Sequence, residues 1–202
     1  MYTLYYFPDA CSLATQVVLN ELDQPVEIID VQKVDDFKAI NPVGTVPVLM
    51  DNGNTFREGA AVILYLLNKH QNTMLPATGA RREQAIQDIM FANATMHPTY
   101  SRLFFIAQNI TDEKTKQSSF NATAQSIINL WQVVEQQLAK QDFLGGDQPS
   151  AADIMLTVYS RWGASFPVDI ALGKNTQKMV NVVQSMPSFQ RALAAERSQT
   201  EA

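Results

Sequence analysis

The sequence has very few of the residues that form covalent or metal cross-links. Its 202 residues include one cysteine, Cys11, and two histidines. A single cysteine cannot close an internal disulfide, and two histidines with one cysteine give no zinc-binding spacing. The sequence therefore excludes a disulfide scaffold and a structural zinc site, and we expect no metal in this protein.

Long apolar runs and clusters of basic residues are also absent. Charges interrupt the apolar run near the N-terminus within a few residues, so we expect no signal peptide, no membrane association and a cytoplasmic protein. The 15 lysines and arginines are outnumbered by 20 acidic residues, and the net charge is -5. The longest basic run is Arg81-Arg82. Because phosphate backbones require concentrated positive charge, nucleic acid is not an expected partner.

Glycine and proline are scarce as well. The 8 glycines and 9 prolines make 17 of 202 residues, below the roughly 12% of an average protein, which favours helices over a turn-rich all-β chain. With 46% hydrophobic and 17% charged residues, the chain can bury a sizeable core and is not expected to be disordered.

The first third of the chain alternates strand and helix patterns. Residues 2–7 form a β-branched and aromatic run that predicts a strand, and apolar residues at helical spacing follow from Ser12. Residues 26–31 predict a second strand, parallel to the first because a helix joins them. A turn and a third strand occupy residues 41–50, and residues 51–54 form a hairpin signal, so a fourth strand should run antiparallel to the third.

Turn-forming residues at 71–79 separate this α/β region from an almost wholly helical one. The last element of the α/β region is a predicted helix that begins near Glu58. We therefore predict an α/β domain over residues 1–75 and an all-α domain over residues 80–202. The helices of the second domain are predicted at residues 80–109, 112–140, 151–165, 174–184 and 187–197.

Cys11 follows the first predicted strand and precedes the helix that begins near Ser12. Main-chain N–H groups and the positive end of that helix then point toward its sulfur, which lowers the pKa of a thiol. Asp9 acts in the opposite direction, because a nearby negative charge disfavours a thiolate. Two interpretations stay open: an activated thiol, or a small buried apolar side chain.

Two other short segments could bind a ligand. Pro47 lies in a strand-like segment, so it marks an edge, a bulge or a cis peptide; a cis bond after Val46 would expose main-chain groups to an extended peptide ligand. Glu58 and Gly59 begin a helix whose N-terminus could approach a carboxylate closely. An ordinary edge-strand proline and a plain helix start explain the same residues.

The helical half contains two local signals. Ser150 and Asp153 match a capping box with aspartate in place of glutamate, which indicates a structural role. Pro98 interrupts a long helix directly after His97, because proline removes a backbone donor. His97 is then either an ordinary hydrogen-bonded residue or an imidazole turned toward a thiol in a cleft.

Taken in order, these features resemble the glutathione transferases, and in particular the bacterial beta class. The resemblance covers nearly the whole chain. It implies a thioredoxin-like α/β N-terminal domain, an all-α C-terminal domain, a homodimer, and glutathione as co-substrate without a further cofactor. The matching stretches are residues 6–14, residues 40–47, Glu58-Gly59 ahead of Tyr65-Leu66, and Ala152-Asp153 through Ser160-Arg161-Trp162.

The resemblance also assigns roles to individual residues. It implies that Cys11 lies beside the glutathione sulfur, with His97 from the second domain close to it. Tyr6 and Ser12 are further candidates for thiol activation. The glutathione contacts implied by the family are Lys33, Val46, Pro47, Glu58 and Gly59. An apolar electrophile would bind the C-terminal helices, with Phe104, Phe105 and Trp162 as candidate contacts.

Three functions remain distinct at this point. The first is conjugation of glutathione to hydrophobic electrophiles, a detoxification activity in which glutathione is the nucleophile. The second is glutathione-dependent thiol-disulfide exchange or dehalogenation through Cys11. The third is a noncatalytic protein-interaction module on the same fold. Retention of Cys11, Val46-Pro47 and Glu58 argues against the third function, and conjugation is the preferred one.

Overall fold

The computed structural model describes residues 1–200, which form two compact units. The first unit contains Met1–Ala77 together with residues 184–200, and the second contains Thr78–Val183. The division near residue 77 lies between the two predicted domains. Residues 184–200, placed by the sequence prediction in the helical domain 80–202, instead cluster with the α/β unit. Residues 201 and 202 of that predicted domain lie outside the described part.

A four-stranded mixed sheet forms the centre of the first unit. Its order is β2-β1-β3-β4, with β1 parallel to β2 and antiparallel to β3, and β3 antiparallel to β4. In register, Leu4 pairs with Ile28 on one side and with Leu49 on the other. The predicted strands and their directions are confirmed. Their bounds are β1 Tyr2–Tyr6, β2 Val26–Asp30, β3 Val48–Asp51 and β4 Asn54–Arg57.

Helix α1 is buried along most of its length. It spans Ser12–Glu21, and every residue from Ser12 to Leu19 is buried. The reason is that α1 contacts both the sheet and the last helix, α9 (Pro187–Thr200). Three polar side chains, Ser12, Thr15 and Gln16, are buried together with the apolar ones. The other helices of this unit are α2 Phe37–Ile40, α3 Gly59–Lys69 and α9 Pro187–Thr200.

The second unit is helical throughout its described elements, as predicted, so the expected fold class is confirmed. Pro98 interrupts regular helix geometry as expected: a π-helical turn at Ala92–Met96 precedes it. Proline has no N–H for the carbonyl four residues earlier, and a π turn accommodates that missing bond. The helices are α4 Ala80–Phe91, α5 His97–Asn109, α6 Glu113–Leu138, α7 Ala151–Ser160 and α8 Lys174–Ser185.

Two carboxylates, the buried Asp153 and the half-buried Glu135, fix helix starts in this unit. Ser150 and Asp153 form the predicted capping box at the start of α7. Glu135 on α6 accepts four hydrogen bonds, two each from Asn175 and Thr176 in the first turn of α8. These contacts satisfy N–H groups that a helix start otherwise leaves unpaired. Within residues 1–200, no helix is both long and apolar enough to cross a membrane.

Candidate active site

The loop after β1 brings Cys11 to the segment that precedes β3. The loop turns back on itself through Asp9, whose φ of 57° lies in the left-handed region, a conformation that aspartate tolerates better than most residues. Cys11 ends the loop, and its Sγ donates a hydrogen bond to the carbonyl oxygen of Val46 at 3.3 Å. The bond between Val46 and Pro47 is cis, which is one of the alternatives that the sequence left open for Pro47.

The environment of the Cys11 thiol differs from the sequence prediction. Helix position alone predicts a lowered pKa, but burial raises the pKa of the Cys11 thiol to about 11, and the negative charge of Glu58 adds to this rise. Main-chain hydrogen bonds at Cys11 and Ser12 act in the lowering direction without reversing it. Of the two interpretations left open by the sequence, the structure therefore favours the small buried side chain, because desolvation of the sulfur outweighs the helix N-terminus.

Asn41 shapes the turn that leads to Val46. The buried Asn41 side chain donates through Nδ2 to the Thr45 carbonyl oxygen at 2.8 Å, and its Oδ1 accepts the Val43 N–H at 3.3 Å. These two bonds fold residues 41–45 into a compact turn. Sequence reasoning did not assign Asn41 a role, although an asparagine directly before Pro42 is a turn signal.

Glu58 lies at the N-terminus of α3 and is exposed. Its φ of 67° is again in the left-handed region, and α3 begins at Gly59, so Glu58 precedes the predicted helix instead of lying in its first turn. Its charge acts on the Cys11 thiol, so the two side chains share one electrostatic environment. The structure thus gathers Cys11, Val46, Pro47, Glu58 and Gly59, which come from three separate segments.

Lys33, the predicted basic contact for glutathione, already has a partner in this unit. Its Nζ donates to the main-chain carbonyl oxygen of Gln199 on α9 at 2.7 Å. The side chain is exposed, so the hydrogen bond is open to competition from solvent or a ligand. The role of Lys33 as a glutathione contact therefore stays a prediction. In the structure its ammonium group contacts α9.

Tyr6 and Ser12 lie inside the first unit. Both are fully buried, and burial with the nearby charges of Asp30 and Glu196 raises the pKa of Tyr6 to about 12. The Tyr6 hydroxyl has no hydrogen-bond partner among the described residues. The Ser12 hydroxyl is within 3.4 Å of the main-chain N and O of Phe7. In this geometry Ser12 supports the loop, and neither hydroxyl faces solvent.

His97 lies at the start of α5 in the second unit, in contact with aromatic rings. Its ring meets Tyr159 and Trp162 edge-on, with each pair of centroids 5.2 Å apart. Ser101 Oγ lies 3.4 Å from Nδ1 of His97. Burial lowers the pKa of His97, so the imidazole is neutral at pH 7 and can accept a proton.

The predicted aromatic contacts for an electrophile differ in exposure. Phe105 is 62% exposed and Phe104 is 39% exposed, whereas Trp162 is 8% exposed. Phe104 packs edge-on against Trp162 and Phe166 with centroid distances of 5.9 and 4.8 Å. Phe104 and Phe105 therefore present apolar surface, while Trp162 is a core residue that supports Phe104 from beneath.

Two family models match the chain and together cover most of it. The model described as "Glutathione S-transferase, N-terminal domain" matches residues 4–74, and that described as "Glutathione S-transferase, C-terminal domain" matches residues 92–185. The chain belongs to the glutathione S-transferase family. The expectation of a transferase enzyme on this fold is thereby confirmed.

Individual glutathione S-transferases that resemble this chain support the same family assignment. Glutathione S-transferase GST-4.5 of Xanthomonas campestris pv. campestris is 31% identical over 83% of this chain and 85% of its own length. A beta class glutathione S-transferase of Sphingomonas chungbukensis has a TM-score of 0.83 at 25% identity, with 96% and 98% of the two chains covered. A sphingomonad glutathione S-transferase solved with glutathione has a TM-score of 0.83 at 29% identity and the same coverage.

Across the part of the chain that the structure describes, no group of three or more histidine, cysteine, aspartate or glutamate side chains could hold a metal ion. The polar groups near Val46 are a thiol, a carboxylate and main-chain N–H and C=O groups. Such groups suit a peptide-like ligand.

Proposed function

We propose that this protein binds reduced glutathione on its first unit and conjugates the glutathione sulfur to hydrophobic electrophiles, as a detoxification enzyme. The observation that carries the proposal is the convergence of Cys11, Val46 and Glu58: the thiol contacts the Val46 carbonyl, and the Glu58 charge acts on the thiol. The sphingomonad relative solved with glutathione supports this ligand. Glutathione would serve as co-substrate, with no other cofactor.

Main-chain groups would recognise the peptide part of glutathione. Val46 precedes β3, so an extended ligand pairing with it would add a short strand beside the sheet. Glu58 offers a carboxylate for the ammonium group of the γ-glutamyl end, and Gly59 begins α3, where N–H groups attract the adjacent carboxylate. The Cys11 thiol would lie beside the ligand's sulfur.

The protonated state of Cys11 favours conjugation over exchange. With its pKa raised to about 11, the Cys11 thiol is a hydrogen-bond donor at neutral pH and a poor nucleophile. Glutathione would then supply the nucleophile: its sulfur forms a bond to the electrophilic carbon, the bond from that carbon to the leaving group breaks, and the thiol proton passes to a base.

Apolar surface on the second unit would hold the electrophile. Phe104 and Phe105 expose aromatic rings on α5, and Trp162 supports Phe104. Aromatic rings bind flat apolar compounds by stacking and by burying apolar area. We also propose a homodimer on the strength of the family. Light scattering that returns the mass of one chain at micromolar concentration would remove this part of the proposal.

Calorimetric titration of reduced glutathione tests the proposal directly. We expect the wild-type protein and Cys11→Ala to bind glutathione with Kd values within about fivefold of each other, because the recognition groups are mostly main-chain atoms. Both should conjugate a chloronitrobenzene substrate. Loss of glutathione-dependent disulfide reduction in Cys11→Ala, with conjugation undetectable in both proteins, would instead identify Cys11 as the nucleophile. No binding by either protein would point to a noncatalytic interaction module.

A further inference from the structure

Glu196 on α9 is a buried carboxylate with two ordered contacts in the first unit. The residue is 4% exposed. Its Oε2 accepts the main-chain N–H of Asp9 at 3.0 Å, and its Oε1 accepts Nε2 of Gln16 at 2.7 Å. Hydrogen bonds to a charged acceptor are stronger than those between neutral groups, and more so when they are buried.

The two contacts lie on either side of Cys11. Asp9 belongs to the loop that ends at Cys11, and Gln16 lies on α1, which begins directly after it. One carboxylate therefore ties the loop to the helix. Asp9 has a φ of 57°, a conformation in which a non-glycine residue is disfavoured. Glu196 supplies the acceptor for the N–H of this left-handed residue, beside the local main-chain bonds of the loop.

Helix α9 is itself fixed to the same region. Asn20 Nδ2 donates to the Ser188 carbonyl oxygen at 2.9 Å, and Arg191 donates to the Asn20 carbonyl oxygen at 3.3 Å. The backbone around Glu196 is thus held against α1 independently of the carboxylate. A change at Glu196 will therefore act on the Asp9 loop before it displaces the helix.

We propose that Glu196 is a positioning residue for the glutathione site, acting through the Asp9 N–H on the placement of Cys11. This inference rests on the proposed glutathione-binding function. Without the carboxylate, the loop loses the acceptor that holds its left-handed residue, and the Cys11 hydrogen bond to Val46 loosens. The Val46 main chain and the thiol are then no longer held in a fixed geometry for the ligand.

Three variants at this position separate geometry from charge. Glu196→Leu keeps the approximate volume and removes both acceptors. Glu196→Gln can keep both hydrogen bonds, because the Gln16 side chain can reverse its amide and accept from the new Nε2. Gln16 Oε1 has no partner among the described residues, so this reversal costs no existing bond. Glu196→Asp keeps the charge but shortens the reach to Asp9.

The readouts are the glutathione Kd from calorimetry and the rate of Cys11 alkylation by iodoacetamide at pH 8.5. In Glu196→Leu we expect a Kd at least about fivefold weaker and alkylation at least about threefold faster, because the thiol is released from Val46. Glu196→Gln should stay within about twofold of wild type. Glu21→Leu and Glu21→Gln, at an exposed position on α1, are the matched controls and should not change either value.

A double variant distinguishes positioning from a general loss of stability. Glycine adopts a positive φ without steric cost, so Asp9→Gly added to Glu196→Leu should restore at least half of the lost affinity, on a logarithmic scale. A purely structural role for Glu196 predicts no such rescue. If Glu196→Leu does not fold, Glu196→Asp with and without Asp9→Gly gives the same comparison.

The outcomes decide the inference whether or not the proposed function holds. Failure of the wild-type protein to bind glutathione contradicts the proposed function, and the alkylation rates then decide the positioning role alone. A folded Glu196→Leu or Glu196→Asp with wild-type alkylation rate overturns the inference. The inference is also overturned if a Glu196 variant binds glutathione more weakly and the added Asp9→Gly does not restore that affinity.

Discussion

The Cys11 thiol donates a hydrogen bond to the carbonyl oxygen of Val46, 35 residues further along the chain, at 3.3 Å. This bond joins the loop after β1 to the segment before β3. It requires the proton on sulfur, and burial keeps that proton in place by raising the pKa of the thiol. The cysteine is therefore a donor at neutral pH, and its reactivity should depend steeply on pH.

Alkylation of Cys11 should accelerate with pH well above neutrality. Because burial raises the thiol pKa to about 11, about one thiol in a thousand is ionised at pH 8, and the thiolate is the reactive form. The rate constant with iodoacetamide should rise about tenfold per pH unit from pH 7 to pH 10. Cys11 is the only cysteine, so Cys11→Ala gives the background. A rate plateau reached below pH 9 contradicts the prediction.

Replacing Asn41 should weaken glutathione binding without unfolding the protein. Asn41→Ala removes the side-chain bonds to Thr45 and Val43, so the turn before Val46 loosens. We expect the glutathione Kd to rise about tenfold, equivalent to about 1.4 kcal/mol, with circular dichroism unchanged at 25 °C. Asn54→Ala, at an exposed hairpin position, is the control. Equal Kd values for the two variants would show that the turn does not position Val46.

His97 should titrate below the usual range of a histidine. Burial lowers the pKa of His97, so its Cε1 proton resonance should have a midpoint below about 6.5, assigned by its loss in His97→Gln. The folded state then favours the neutral ring. The free energy of unfolding should fall as pH drops through the unfolded-state pKa of about 6.5, because the unfolded chain binds the proton more readily.

The same substitution provides the control for this stability effect. His97→Gln should lose the part of the acid destabilisation that arises between pH 7 and pH 5, measured by urea unfolding at each pH. His70, the other histidine, contacts Tyr2 through a 2.7 Å hydrogen bond and stays in both proteins. A titration midpoint for His97 above pH 7 would contradict the prediction, because such a midpoint means that the folded state favours the charged ring.

Glu135 should contribute measurably to the stability of the second unit. Burial would raise the pKa of Glu135, but the hydrogen bonds from Thr176 and Asn175 outweigh it and hold the pKa below its usual value. Glu135→Ala should lower the free energy of unfolding by about 2 kcal/mol at pH 7 in urea. The wild-type contribution should be full above the unfolded-state pKa of about 4.3 and decline as pH falls through the lower folded-state value.

Glu83→Ala, at an exposed position on α4, is the matched control for this experiment. We expect a change within about 0.5 kcal/mol for it, as for most surface substitutions. If the two variants unfold at the same urea concentration, the contact between Glu135 and α8 does not stabilise the unit.

Much of the fold follows from local sequence patterns. The β-branched and aromatic run in β1, the hairpin signal at residues 51–54, and the Ser150–Asp153 capping box each depend on neighbours within a few residues. The interruption at Pro98 follows from one missing N–H. These features were predictable because covalent geometry and short-range hydrogen bonding determine them.

The chemistry of the candidate site depended on which segments pack together. Helix position favoured a lowered pKa for Cys11, but burial raises it. Tyr6 resembled a catalytic residue in sequence, yet its hydroxyl is buried in the first unit. Desolvation depends on all the atoms around a group, and no spacing along the chain reports it.

By itself, the sequence determined the order of strands and helices, the turn residues and the family to which the chain belongs. Only the tertiary structure placed residues 184–200 with the α/β unit and brought Glu196 to the N–H of Asp9, 187 residues away. The physical reason is the range of the forces involved. Periodicity and capping act within a few residues of the chain, whereas burial and a hydrogen bond between distant segments exist only once the chain has folded.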